Sequence, residues 1–244
     1  MSTPAIDRDL GVIYVLARFR HDLGNGCEHV SGIEGPGRYS WQCYSQVLFQ
    51  IGILDQAIRN KVPIEFDVDG QIFNSRTELQ RSGLAIIGIP GTLDKAVVVA
   101  WAGEDDQPDP DGDPYHGQMH GFIAAYRASN LSLIGKDCTT CEINPTCDTK
   151  GTPPKESKCR GAQGAIWQAG RAPAVDGNKL YYFTGNGGYF FDTARATEAW
   201  QDCKRNLNKP TGYYGNSVIG LSVSDSTLAI DASVSPKRWC IKVH

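Results

Sequence analysis

Short apolar runs recur along the chain, several alternating with period two, and each is bounded by glycine, proline or aspartate. The clearest are Val12 to Ala17, Val47 to Leu54 and Val62 to Phe66. Leu84 to Ile87, Ala96 to Trp101 and Gly121 to Tyr126 come next, then Leu180 to Thr184 and Ser217 to Leu221. β-branched and aromatic residues dominate them, which suits a pleated, half-buried surface. One stretch, Asp192 to Gln201, reads as a short helix within an insertion. The pattern predicts an all-β fold.

Aligning the runs exposes a repeat. Ser2-Thr3-Pro4-Ala5-Ile6-Asp7 precedes the strand at Gly11 to Val15, and Arg171-Ala172-Pro173-Ala174-Val175-Asp176 precedes Asn178 to Tyr182. Between them, Gln80 to Ile86 leads into Lys95 to Ala100. A third strand follows in each unit: Gln50 to Asp55, Gly121 to Arg127 and Asn216 to Ser222. Each unit is thus an antiparallel meander of three or four strands. One meander cannot cover its own apolar face, so several must stack around an axis as β-propeller blades. The units fall near residues 1–70, 80–137 and 164–235 of a single domain, with a cysteine-rich insertion at 138–160. Propellers typically close with roughly four to eight blades. Three are too few, so further blades or a second copy are expected to complete the ring.

Composition narrows the partners. With 24 Lys+Arg against 27 Asp+Glu the net charge is -3, and no basic field is present to hold nucleic acid. The longest apolar runs, such as Ala96 to Ala102, fall far short of the roughly 20 residues of a spanning helix. No phosphate loop, dinucleotide fingerprint or Gly-x-Ser-x-Gly element occurs.

Eight cysteines are a high, even count, which favours an oxidising compartment. Met1 to Asp7 has neither the basic stretch nor the apolar core of a signal peptide. The chain therefore reads as a mature or truncated piece of an extracellular or periplasmic protein. Cys138, Cys141, Cys147 and Cys159 lie in a loop whose only large apolar interior residue is Ile143, which two disulfides would staple. Three pairings are open, and four thiolates holding zinc is the competing arrangement. Glu142 after Cys141 excludes haem attachment through Cys-x-x-Cys-His. Cys27 and Cys43 bracket a glycine-rich loop, and Cys203 and Cys240 are left to pair across the last blade.

Asp105, Asp109, Asp111 and Asp113 place hard oxygen ligands at nearly alternate positions with Gly112 for a sharp turn, the donor type calcium prefers. No closing Glu or flanking helices complete an EF-hand, and a solvated acidic turn is the alternative. His116 and His120 stand four apart in a glycine-flanked turn, where helical i, i+4 geometry is not expected, and His116 reads as a hydrogen-bonded turn residue rather than a ligand. Asn130-Leu131-Ser132 is a glycosylation sequon.

Several of these stretches carry a family pattern. Val97 to Gly103, Pro114-Tyr115-His116-Gly117 and Phe122 to Tyr126 resemble the propeller repeats related to pyrroloquinoline-quinone (PQQ) enzymes. So do Gly164 to Gln168, Thr184 to Gly187 and Tyr214 to Val218. The resemblance covers most of 80–225 and, less closely, residues 2–17. It implies a quinoprotein-like propeller, whose enzymes use a calcium or lanthanide ion, an Asp base, a Trp floor and commonly a disulfide between adjacent cysteines. Here no two cysteines are adjacent, and Arg127 stands where the repeat-ending motif of those enzymes has Asp. Trp167 is the residue that would stack on the quinone, with core packing as its alternative role. The expectation is therefore an extracytoplasmic propeller module that binds or scaffolds. The competing reading is a fragment of a PQQ-dependent dehydrogenase oxidising an alcohol or sugar.

Overall fold

The computed structural model describes residues 3–21, 44–69, 71–75, 77–103, 120–141, 164–185, 214–215 and 217–234. The expected helix at 192–201 lies outside them, and no helix occurs among the described residues. The first sheet contains β1 (Ala5–Asp7), β2 (Val12–Arg20), β3 (Tyr44–Gly52) and β4 (Ile58–Pro63). After it come two short strands, β5 (Asp67–Val68) and β6 (Gln71–Ile72), which pair with each other. The central region adds β7 (Glu78–Leu79), β8 (Ala85–Gly88), β9 (Lys95–Ala100), β10 (Ala102–Gly103), β11 (Phe122–Arg127) and β12 (Leu133–Cys138). β13 (Ala174–Asp176), β14 (Lys179–Phe183), β15 (Val218–Val223) and β16 (Leu228–Val234) form the last sheet.

The three larger sheets have the orders β1-β2-β3-β4, β8-β9-β11-β12 and β13-β14-β15-β16, each an antiparallel meander, while β10 pairs with β7. This is the sequential strand order of propeller blades. The turns that start the first and third meanders both follow an aspartate and use a glycine with positive φ. Asp7 Oδ1 accepts the amides of Asp9 and Leu10, and Gly11 takes φ 63°, a left-handed conformation glycine adopts without Cβ penalty. Gly177, with φ 59°, directly follows Asp176 in the shorter two-residue turn to β14.

Burial shows how the sheets stack. In β9, Val97 and Val99, with Trp101 just beyond, face the first sheet and join Tyr14, Leu16 and Leu48 in one core. Ala96, Val98 and Ala100 face the opposite way and join Leu180, Tyr182, Ile219 and Leu221 in another. β11 divides in the same manner: Phe122 and Ala124 on one side, Ile123 and Ala125 on the other. The inner strands of the central sheet are thus buried on both faces, and β9 and β11 read as near-continuous apolar runs for that reason. The outer sheets each bury one face, so β2 and β3 alternate.

The fourth strands were the least legible in sequence. The run expected over Val62 to Phe66 is displaced, because the strand occupies Ile58–Pro63. Leu133–Cys138 and Leu228–Val234 also form fourth strands, and the former places Cys138 in β12, at the edge of the loop expected from 138 onward. These edge strands are mostly exposed or half-buried, so no strong apolar alternation marks them.

Candidate functional site

Where the central sheet meets the first, the apolar core ends in a nest of buried polar groups. Five elements build it: β7 brings Glu78, β3 brings Gln46, and Trp101 follows β9. His120 stands two residues before β11, and Cys138 ends β12. Thr139 and Thr140 turn the chain towards Cys141, and all eight of these side chains are buried.

Two close approaches shape the turn. A Cβ on Gly121 would stand 2.5 Å from Thr139 Oγ1 and closer still to the Gly164 carbonyl. Gly164, with φ 71°, lies equally tight against Thr139 and Thr140. The Thr139 amide donates to the Gly121 carbonyl at 3.0 Å, and Thr139 Oγ1 donates to the Gly164 carbonyl at 2.8 Å. Glycine at 121 and 164 is what lets the Cys-x-x-Cys turn lie flat on its neighbours.

Hydrogen bonds then link the nest. The His120 amide donates to Glu78 Oε1 at 3.0 Å, and Trp101 Nε1 donates to Gln46 Oε1 at 2.8 Å. Gln46 Nε2 donates to the Glu78 carbonyl at 2.5 Å. His120 Nδ1 lies 2.9 Å from Thr140 Oγ1. Aromatic rings close the apolar side: Phe122 stands edge-on to His120 at 5.8 Å, and Phe66 and Phe73 pack against both Trp101 and Phe122.

Burial sets the charge state. It holds the His120 imidazole down at about 4, so the ring is neutral near pH 7. Burial also raises the Glu78 carboxyl well above its ordinary range, against the smaller opposing pull of the His120 amide. Glu78 Oε2 has no hydrogen-bond partner among the described residues. A neutral imidazole, a buried carboxyl whose charged form burial disfavours, and a sulfur pair therefore belong to one nest.

Cys138 and Cys141 are disulfide-bonded, with Cα atoms 5.5 Å apart. This is one of the pairings left open by sequence, and it closes a loop of only four residues. In the chain-entropy relation such a loop restricts the unfolded state by about 2 kcal/mol, against about 3 kcal/mol for a 15-residue loop. The bond therefore contributes less as a staple than a bridge closing a longer loop would. Its sulfur atoms and one ring nitrogen of His120 all lie within 4.8 Å of one another.

The other expected site residues are dispersed. Trp167 is half-buried; the Arg81 guanidinium lies 6.0 Å from its ring centre, and its indole edge abuts Gly185. Arg127 reaches Asp225 at 2.7 Å and Asp94 at 3.5 Å, tying the central sheet to the turn before β16. Asn130 is exposed in a turn where its Oδ1 accepts the Ser132 amide. Asp105, Asp109, Asp111, Asp113 and His116 lie outside the described residues, as do Cys27, Cys43, Cys147, Cys159, Cys203 and Cys240. Sequence reasoning missed Glu78 altogether and placed His120 in a turn. The available signal was a His, a Cys-x-x-Cys and a lone Glu beside aromatic-rich strands, but their proximity depends on the meander register.

No protein-family model matches this chain, and no curated protein matches it. Among solved structures, a quinohemoprotein alcohol dehydrogenase, ADHIIG from Pseudomonas putida HK5, aligns at 16% identity with a TM-score of 0.38. The alignment covers 78% of this chain and 24% of that one, so this chain spans about a quarter of that protein's length.

Proposed function

We propose that this chain is a blade-stack module of a larger extracytoplasmic β-propeller, acting in binding or scaffolding. One observation carries the reading: the outward face of the first sheet. Ile6, Ile13, Ile51 and Ile58 stand side by side across all four of its strands. Val15 pairs with Phe49 in the adjacent row, and Phe19 meets Phe49 edge-on at 6.1 Å. Ile6 and Ile58 are each 57% exposed.

That face has the chemistry of the two covered interfaces beside it, β-branched and aromatic side chains projecting from a twisted meander. Its fitting occupant is a further four-stranded sheet, which buries such a face with the geometry the central sheet already has on both sides. The Cys138–Cys141 disulfide supports an oxidising compartment. Binding would fall to the loops at the ends of the blades, where a rigid β scaffold usually carries it. The dehydrogenase alternative is tested separately, by adding PQQ and calcium and following reduction of an artificial electron acceptor by an alcohol or sugar.

Sedimentation velocity tests the proposal. Contiguous apolar patches larger than a few hundred Å² drive association. The purified chain is expected to self-associate, and Ile13→Lys combined with Ile51→Lys should return it to monomer while its circular dichroism stays β. A wild-type chain that remains monomeric at high concentration would contradict the reading.

A further inference from the structure

We infer that His120, Cys138 and Cys141 form a binding site for zinc, or a similarly thiophilic divalent cation, when the disulfide is reduced. The oxidised bond and the metal would then be alternative occupants of the same pocket. The inference rests on geometry independent of the blade-stack reading.

The ligand atoms are already gathered. Both Sγ atoms and one His120 ring nitrogen lie within 4.8 Å of one another, and all three residues are at most 4% exposed. A tetrahedral zinc with Zn–S near 2.3 Å needs its sulfurs about 3.8 Å apart. The cysteine Cα atoms are 5.5 Å apart, within reach of that separation through side-chain rotation once the S–S bond is open. Thr140 Oγ1 lies 2.9 Å from His120 Nδ1. In the tautomer that donates this bond, Nε2 keeps its lone pair, the arrangement by which an outer-shell acceptor orients a metal-bound imidazole.

Charge favours the same occupant. Two thiolates and one neutral imidazole around a divalent cation sum to zero, so the pocket gains no net charge, a condition burial demands. A dithiol or phosphine reductant supplies two electrons, the S–S bond breaks, and two thiols form. The cation then displaces two thiol protons to solvent as two metal–sulfur bonds form. Three protein ligands leave a fourth position for water.

The test uses the full chain, reduced anaerobically with a phosphine, its thiol content confirmed by mass, and titrated with Co(II) and then Zn(II). One metal per chain is expected, with sulfur-to-cobalt charge-transfer absorption that zinc abolishes. The unreduced chain should give no such absorption. His120→Gln should weaken Co(II) binding by about 100-fold or more, since even outer-shell losses cost 10- to 100-fold. Replacing Cys147 and Cys159 together by Ser should leave binding unchanged. X-ray absorption on the wild-type zinc form supplies a readout free of variants, with two sulfur ligands and at least one nitrogen expected. Four sulfur ligands, binding indifferent to His120 or lost with Cys147 and Cys159, or no binding after confirmed reduction would each overturn the site.

Discussion

Acid should weaken the fold through His120 before the carboxylates protonate. The ring is buried and held at about 4, whereas an unfolded histidine titrates near 6.5. A depressed folded value means the stabilising contribution is fully present above 6.5 and is lost as pH falls towards 4. Linkage between those two values gives almost no loss at pH 7 and about 2 kcal/mol at pH 5. Glu78 acts in the opposite sense: its raised carboxyl favours the folded state at low pH and loses that contribution as pH rises. A comparison with His120→Asn separates the two, because the Asn amide can still meet Thr140 Oγ1 while Glu78 is common to both proteins. Urea unfolding at pH 7 and pH 5, disulfide intact and chelator present, supplies the assay. Whatever constant offset the substitution brings, wild type should lose about 2 kcal/mol more than the variant between the two pH values. Equal losses would refute a buried, neutral His120.

Other perturbations have distinct expected outcomes. Gly121→Ala should destabilise by about 3 kcal/mol, because the Gly164 carbonyl is backbone and cannot swing aside; Gly91→Ala, at φ 76° with open space around it, should cost only about 1 kcal/mol, both read from urea midpoints. Trp101→Phe removes the donor to Gln46 and should cost about 1–3 kcal/mol by the same measurement. Desolvation pulls the Asp7 carboxyl up, but Lys95 and the Leu10 and Asp9 amides outweigh it and hold it below its usual range. Lys95→Met should therefore destabilise by about 1–2 kcal/mol at pH 7, discounted for the partly exposed ammonium. That difference should shrink as pH falls through the lowered Asp7 value, since the stabilisation exists only while the carboxylate is charged.

The strands that bury both faces were legible because they carry uninterrupted apolar runs: Ala96 to Trp101 and Phe122 to Tyr126 are read directly. Edge strands were not, since a strand such as Ile58-Arg59-Asn60-Lys61-Val62-Pro63 has solvent on much of its surface and little periodicity to detect. The polar nest was illegible for another reason. Glu78 and His120 lie 42 positions apart, and only the arrangement of β7 beside β10 and of the segment before β11 puts the His120 amide on the Glu78 carboxylate. Cys138 and Cys141 were marked by spacing, but which cysteines pair is decided in space, where the turn over Thr139 and Thr140 brings these two together.

The central claim is that another blade covers the Ile6, Ile13, Ile51 and Ile58 face. An experimental structure of the assembly purified from its native source tests it most directly. The expected result is a further antiparallel four-stranded sheet packed face to face on that isoleucine row, about 10 Å away. A row left open to solvent in the intact assembly, or covered by something other than a β-sheet, would contradict it.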